Sequence, residues 1–251
     1  MIGVFDSGVG GLSVLNRIRT RMPRADLLYV ADRGRAPYGV RSLEEVEEIS
    51  HDVAGWLIDR GADCLVVACN TASAAALDSL RARHPGMEIV GMEPAVKPAA
   101  SWTRTGRVAV FATAATFQGR LFASVVTRFA AGIEVINQAC PRWVEMVERG
   151  VVDGSEAVVE VRPVVEDALA AGADVAVLGC THFSFLGDVI AGTGIGVIDP
   201  ADPVAAQVER VAPTVEGEGR LTLAASGDTA EFARLASRIA GLGFPVIPFP
   251  S

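Results

Sequence analysis

Short apolar runs alternate with amphipathic stretches along the whole chain, and most apolar runs end at Gly, Ser, Asp, Asn or Cys. The opening IGVFDSGVGGLSVLNRIRTRMP reads as a strand, a Gly/Ser turn and a helix, with Leu12, Leu15 and Ile18 at helical spacing. ADLLYVADRG repeats the strand-to-loop pattern. RSLEEVEEISHDVAGWLIDRG predicts an amphipathic helix, opened by Ser42 and Glu45 as a capping box and closed by Gly61. ADCLVVACN is almost continuously apolar, as a strand covered on both faces should be. TASAAALDSLRARHPG predicts the next helix and EIVGMEPAV the next strand. The pattern then restarts: GRVAVFATAATFQGRLFASVVTRFA is strand, turn and helix, IEVINQAC a strand, and SEAVVEVRPVVEDALAAG a helix. ADVAVLGC is a strand, and IGVIDPADPVAAQVERVA and LTLAASGDTAEFARLASRIAGLG are strand–helix pairs.

The restart is a duplication. GADCLVVACNTAS, from Gly61 to Ser73, aligns with GADVAVLGCTHFS, from Gly172 to Ser184, at an offset of 111. VFDSG at 4–8 pairs with VFATA at 110–114, and EPAVKP at 93–98 with DPADPV at 199–204, both at an offset of 106. Three landmarks in one order predict two pseudo-symmetric α/β domains with parallel, flavodoxin-like sheets and an active site in the cleft between them. The last strand–helix pair needs a sheet to join, which assigns residues 1–97 plus 208–251 to the first domain and 98–207 to the second. Ligands of open parallel sheets bind beyond the carboxyl ends of the strands. Asp6-Ser7, Asp32, Cys69-Asn70-Thr71, Thr113 and Cys180-Thr181-His182 all fall there.

Composition narrows the function. Half of the 251 residues are apolar, and the formal charge of -8 argues against nucleic-acid or anionic-membrane partners. No apolar run is long enough for a membrane span, and the N-terminus does not read as a signal peptide, so a cytoplasmic protein is expected. The cysteines at 64, 69, 140 and 180 form no C-x2-C pair. Cys64 and Cys140 read as packing residues, and His51 and His84 as solvent-facing helix residues. Cys69 and Cys180 each end a strand at a polar stretch, where partial exposure and a helix N-terminus would favour the thiolate.

A disulfide catalyst would need adjacent thiols, a zinc site more ligands than Cys180 and His182, and a hydrolase only one nucleophile. Two equivalent thiols suit inversion at a carbon, one removing a proton and the other returning one to the opposite face. Asp6 can neutralise an ammonium or tune a thiol, while Ser7, Asn70, Thr71, Thr113, Thr116 and Thr181 offer donors to carboxylates. DSGVGG lacks the spacing of a nucleotide loop. The only lysine, Lys97, is poorly placed for a pyridoxal Schiff base. A binding protein without chemistry, racemisation of an acidic amino acid and a zinc protein using Cys180 and His182 all stay open at this point.

GVFDSGVGGLSVL, PYGVRSLEEV, VACNTAS, GMEPAVKPA, VERGVVDGSEA, VLGCTHFSFL and SGD, in order from residue 2 to 228, resemble the glutamate racemases of the cofactor-independent aspartate/glutamate racemase superfamily. The resemblance implies catalytic roles for Cys69, Cys180, Asp6, His182 and Glu148. It implies glutamate contacts from Asp6, Ser7, Asp32, Pro37, Tyr38, Gly39, Asn70, Thr71, Thr113, Thr116, Thr181 and His182. It further implies no cofactor and no metal, L- or D-glutamate as substrate, a homodimer as an expected assembly, and D-glutamate supplied to peptidoglycan synthesis. The chain departs from the family pattern at Arg33-Gly34, at Phe122, and at Phe183-Ser184 where Tyr-Pro is usual.

Overall fold

A computed structural model describes residues 1–93, 95–212 and 217–250; Pro94 of the EPAVKP landmark lies outside them. The first half runs β1 (Ile2–Asp6), α1 (Leu12–Arg21), β2 (Leu27–Ala31), α2 (Leu43–Asp59), β3 (Cys64–Val67), α3 (Asn70–Arg83) and β4 (Glu88–Gly91). The second runs α4 (Val96–Trp102), β5 (Arg107–Ala112), α5 (Ala114–Gln118), α6 (Arg120–Phe129), β6 (Glu134–Ala139), α7 (Pro141–Glu148), α8 (Gly154–Ala170), β7 (Val175–Gly179), α9 (Gly187–Ala191) and β8 (Gly196–Ile198). α10 (Ala201–Val211), β9 (Leu221–Ala225), α11 (Thr229–Ala240) and β10 (Val246–Pro248) complete the described chain.

All strands in both sheets are parallel. The first sheet has the order β10-β9-β2-β1-β3-β4 and the second β6-β5-β7-β8. Inside the larger sheet, β2-β1-β3-β4 repeats the order of β6-β5-β7-β8, so the duplication seen in the sequence is a duplication of topology. Gly61 and Gly172, which open the two cysteine segments, share the same left-handed backbone, at φ +89° and +90°. Glycine reaches that region without the steric penalty a Cβ brings. The serines in register also match: Ser73 Oγ accepts from Met92 N just beyond β4, and Ser184 Oγ donates to Asp199 just beyond β8. Both are structural ties between neighbouring strand ends.

β1, β2, β3 and β7 are buried along their whole length, because helices cover both faces of their sheets. That is why they read as unbroken apolar runs rather than alternating ones. β9 joins the edge of β2, carrying the C-terminal strand–helix pair onto the first sheet. The crossings expected after residues 97 and 207 fall inside helices: α4 packs on α6 and β7, whereas α10 packs on α1 and β4. The Ser42–Glu45 capping box opens α2 as expected. The helix read after β5 is broken at Gly119, whose added Cβ would stand 2.6 Å from Ala74 Cβ on α3. This close approach joins the two halves.

Candidate active site

Each sheet reverses its strand order at one point, beside β1 in the first half and beside β5 in the second, and the cleft opens at the carboxyl ends of those strands. A cavity of about 420 Å³ lies there. Ser7, Pro37, Tyr38, Gly39, Cys69, Asn70 and Thr71 line it from the first half, and Thr113, Cys180, Thr181 and His182 from the second. Arg41, Ser42, Gln118, Pro141 and Glu145, which the sequence did not mark as site residues, complete the lining together with several apolar groups. Asp6, Asp32, Thr116 and Glu148 do not line the cavity.

Cys69 caps α3, its sulfur accepting from Ala72 N at 3.5 Å. It is only 5% exposed. Burial first, and the charge of Asp6 second, push its thiol well above the ordinary value. The expectation that the helix N-terminus would favour the thiolate here is therefore corrected: desolvation and an acidic neighbour outweigh the dipole. Asp6 is itself fully buried, and burial raises its pKa despite the opposing pull of His182, the Gly11 N–H and Cys69. Its Oδ2 accepts from Gly11 N at 2.7 Å. Its Oδ1 makes no hydrogen bond among the described residues, although the Cys69 thiol is a near neighbour.

The opposite wall is built differently. Cys180 Sγ lies 3.6 Å from His182 Nδ1, and His182 Nε2 lies 2.7 Å from Glu148 Oε1. Glu148 ends α7, where the helix dipole disfavours negative charge. Val9 N donates to its Oε1 at 2.8 Å and Arg33 Nε to its Oε2 at 3.2 Å, which compensates. Burial pushes the Glu148 carboxyl up, but His182, the Val9 amide and Arg33 together hold it below the usual carboxylate value. Burial opposes charge on His182, yet its hydrogen bonds to Cys180 and Glu148 prevail and keep the imidazole well above its usual value. Both directions favour the charged forms of the pair.

The glycine turn after β1 makes this assembly possible. A Cβ on Gly8 would overlap the Glu148 carboxylate, and one on Gly10 would overlap the His182 ring and stand 2.7 Å from Thr181 Oγ1. DSGVGG thus brings backbone against side chains of the other half. Gly39 approaches Thr113 in the same way, since an added Cβ would stand 2.9 Å from Thr113 Cβ.

The remaining expected residues divide into those that face the cavity and those that hold them. Asn70 is 97% buried, its exposure being 3%, yet neither amide atom has a partner among the described residues. A buried amide left unpaired at a cavity wall is costly unless a ligand or water fills it. Thr71, Thr113 and Thr116 form a hydroxyl chain across the two halves at 3.0 and 2.9 Å, with Thr116 at its hidden end. Asp32 is fully buried and has no free oxygen: Oδ2 accepts from Tyr38 at 2.6 Å and Arg35 at 2.7 Å, and Oδ1 from Ser226 at 2.8 Å. Asp32, expected as a substrate contact, stands behind the cavity wall and holds the Tyr38 hydroxyl. Arg35 and Ser226 were missed as partners of that network; only the SGD match hinted at Ser226.

Among the described residues no group of three or more His, Cys, Asp or Glu side chains could hold a metal ion, and His182 spends both ring nitrogens on Cys180 and Glu148. Lys97 lies outside the cleft, its ammonium 5.4 Å from the Phe129 ring. No helix among the described residues is long and apolar enough to cross a membrane.

Two all-parallel α/β domains with a polar cleft between their switch points define an internally duplicated α/β enzyme. The sequence profile of the Asp/Glu/Hydantoin racemase family matches residues 2–208. The glutamate racemase of Roseiflexus sp. (strain RS-1) is 47% identical over 251 residues, covering 95% of this chain and 91% of that protein. That of Pseudomonas aeruginosa (strain UCBPP-PA14) is 46% identical, covering 84% of this chain and 80% of its own. Escherichia coli glutamate racemase, solved with L-glutamate and the activator UDP-MurNAc-Ala, superposes with a TM-score of 0.87 at 27% identity, over 98% of this chain and 96% of that one. The Bacillus anthracis glutamate racemase isoform RacE1 superposes at 0.86 with 28% identity, over 100% of this chain and 97% of that one. The chain belongs to the Asp/Glu/Hydantoin racemase family, and it is an isomerase.

Proposed function

We propose that this enzyme interconverts L-glutamate and D-glutamate by a two-base proton transfer at Cα, with Cys69 serving one face and Cys180 the other. The observation that carries the reading is the pair of thiols at equivalent strand ends of duplicated halves, both lining one cavity with the unpartnered Asn70 amide. The reaction takes the Cα proton onto a thiolate and leaves the electron pair delocalised into the α-carboxylate. The thiol on the other wall returns a proton, so one thiol and one thiolate exchange places. Backbone N–H groups at the start of α3, with Asn70 and Thr71, stabilise the charge that develops on the carboxylate.

Ser7, Tyr38-Gly39, Thr113 and Thr181 complete the grip on the two carboxylates and the ammonium, and Pro37 shapes the wall. Asp6 serves Cys69, and His182 with Glu148 serves Cys180. Asp32 and Thr116 act at one remove, through Tyr38 and Thr113. No cofactor takes part in this scheme. The product D-glutamate supplies peptidoglycan synthesis in the cytoplasm, and assembly as a homodimer belongs to the same reading. The names of the relatives support glutamate as the substrate.

The test is incubation of the pure protein with L-glutamate in D2O, with chelator and no added cofactor. Loss of optical rotation with deuterium at Cα is expected, and L-aspartate run in parallel should turn over far more slowly. Equal turnover of aspartate would move the substrate, and no exchange by a folded protein would contradict the reaction.

A further inference from the structure

Arg33 stands where the resemblance leads one to expect a smaller residue, and the proton-transfer scheme above does not use it. Its Nε donates to Glu148 Oε2 at 3.2 Å and its Nη1 to Glu231 Oε2, also at 3.2 Å. Arg33 follows β2 and Glu231 lies in α11, both packed with the first sheet, whereas Glu148 ends α7 in the second half. The guanidinium is only 14% exposed and Glu148 20%, so the tie is largely withdrawn from solvent. Four links therefore run in series: Glu231 to Arg33, Arg33 to Glu148, Glu148 to His182, and His182 to Cys180.

We propose that Arg33 is a positioning residue for the Cys180 wall, clamping Glu148 across the domain boundary so that its other oxygen holds His182 against Cys180. The inference rests on the reading of Cys180 as an acid/base group. The physical need is plain. Glu148 is the last residue of its helix, where the chain frays and the dipole opposes its charge. The Val9 amide and the His182 ring both use Oε1, which leaves Oε2 to Arg33. Without the guanidinium the carboxylate can rotate about its own axis, and the short bond to His182 is lost for part of the time. Arginine suits the role because its planar fork reaches two carboxylates while staying charged at every relevant pH.

The groups that could shift this wall electrostatically are Asp6 and Cys69 from the first half, Cys180 beside the ring, and Asp228, Glu231 and Glu145 around Arg33. Two influences of Arg33 on His182 oppose each other. As a nearby cation it disfavours the imidazolium; as a clamp on Glu148 it favours it. The sign of the change on removing it separates a clamp from a mere neighbouring charge.

The chain has three histidines, so their imidazole nitrogen resonances can be assigned one by one and titrated without substrate. In Arg33→Gln the His182 midpoint is expected to fall by about half a pH unit or more, with His51 and His84 unmoved. Racemisation kcat is expected to fall about 10-fold with KM changed less than about 3-fold, and Arg33→Lys should restore part of both losses. Glu231→Gln, a change at a side chain 47% exposed, should move both readouts the same way by less. An unchanged or raised His182 midpoint in Arg33→Gln would overturn the proposal. The titration needs no turnover, so a parent protein without racemase activity would sink the catalytic reading and leave the clamp to be judged on His182.

Discussion

The two walls of the cleft come from the same ancestral pattern of strand, cysteine and helix start, yet they hold their thiols by opposite electrostatics. Around Cys69 burial and one acidic neighbour dominate: the thiol and Asp6 are both pushed toward their protonated, neutral forms. Around Cys180 the neighbours are the His182 ring, the Glu148 carboxyl and the Arg33 guanidinium, paired in series. A duplicated backbone fixes where the sulfurs stand, while a few long side chains decide what surrounds each of them.

The largest effect expected is from the thiols themselves. Cys69→Ser and Cys180→Ser should each lower kcat about 10³-fold or more, since a hydroxyl is a far weaker base at neutral pH. Because L- and D-glutamate have equal free energy, kcat/KM must fall equally from either enantiomer; the walls differ only in how kcat and KM share the loss. Next come the assisting groups: Asp6→Asn and His182→Asn should each lower kcat about 10²-fold, measured by polarimetry from both enantiomers. Asn70→Ala should act mainly on affinity, raising KM about 10-fold, because the amide has no intramolecular partner among the described residues to lose.

Stability sharpens the contrast with smaller numbers. Glu148, held below its unfolded value of 4.5, adds stability above that pH, and loses it as pH falls through the folded value. His182, held above its unfolded value of 6.5, adds stability below that pH, and loses it as pH rises through the folded value. The Cys180 wall is therefore most stabilising between these two values. Asp6 behaves oppositely: its raised folded pKa makes the native state costlier as pH climbs from 3.8 through that value. Thermal melts near neutral pH should show Asp6→Asn raising Tm by about 2–4 °C while activity collapses, and Glu148→Gln lowering it by a similar amount. A lower Tm in Asp6→Asn would mean that the buried carboxylate stabilises the fold.

Much of this was legible before any coordinates. Strands buried on both faces leave continuous apolar runs, and a duplicated motif keeps its register, so the sheets and the cysteine pair could be read directly. The α7 helix could not, since WVEMVE is short, and Glu148 was reached only through the resemblance. The network that holds Asp32 was not legible, because its partner Ser226 lies 194 positions away and a chain pattern carries no sign of such a contact. The charge state expected of Cys69 failed for a related reason. The helix start is local and visible, whereas the depth of burial and the facing Asp6 are products of the assembled fold.

The central claim, one base on each wall, is tested most directly by where solvent deuterium appears at low conversion. Starting from L-glutamate in D2O, the account predicts deuterium at Cα of the D-glutamate formed and almost none in the remaining L-glutamate, with the mirror result from D-glutamate. A proton removed by one thiol returns to the same face before that thiol exchanges, while the opposite thiol delivers solvent deuterium. Deuterium in equal proportion in both enantiomers from the start would mean one base serving both faces, and would contradict the two-wall account.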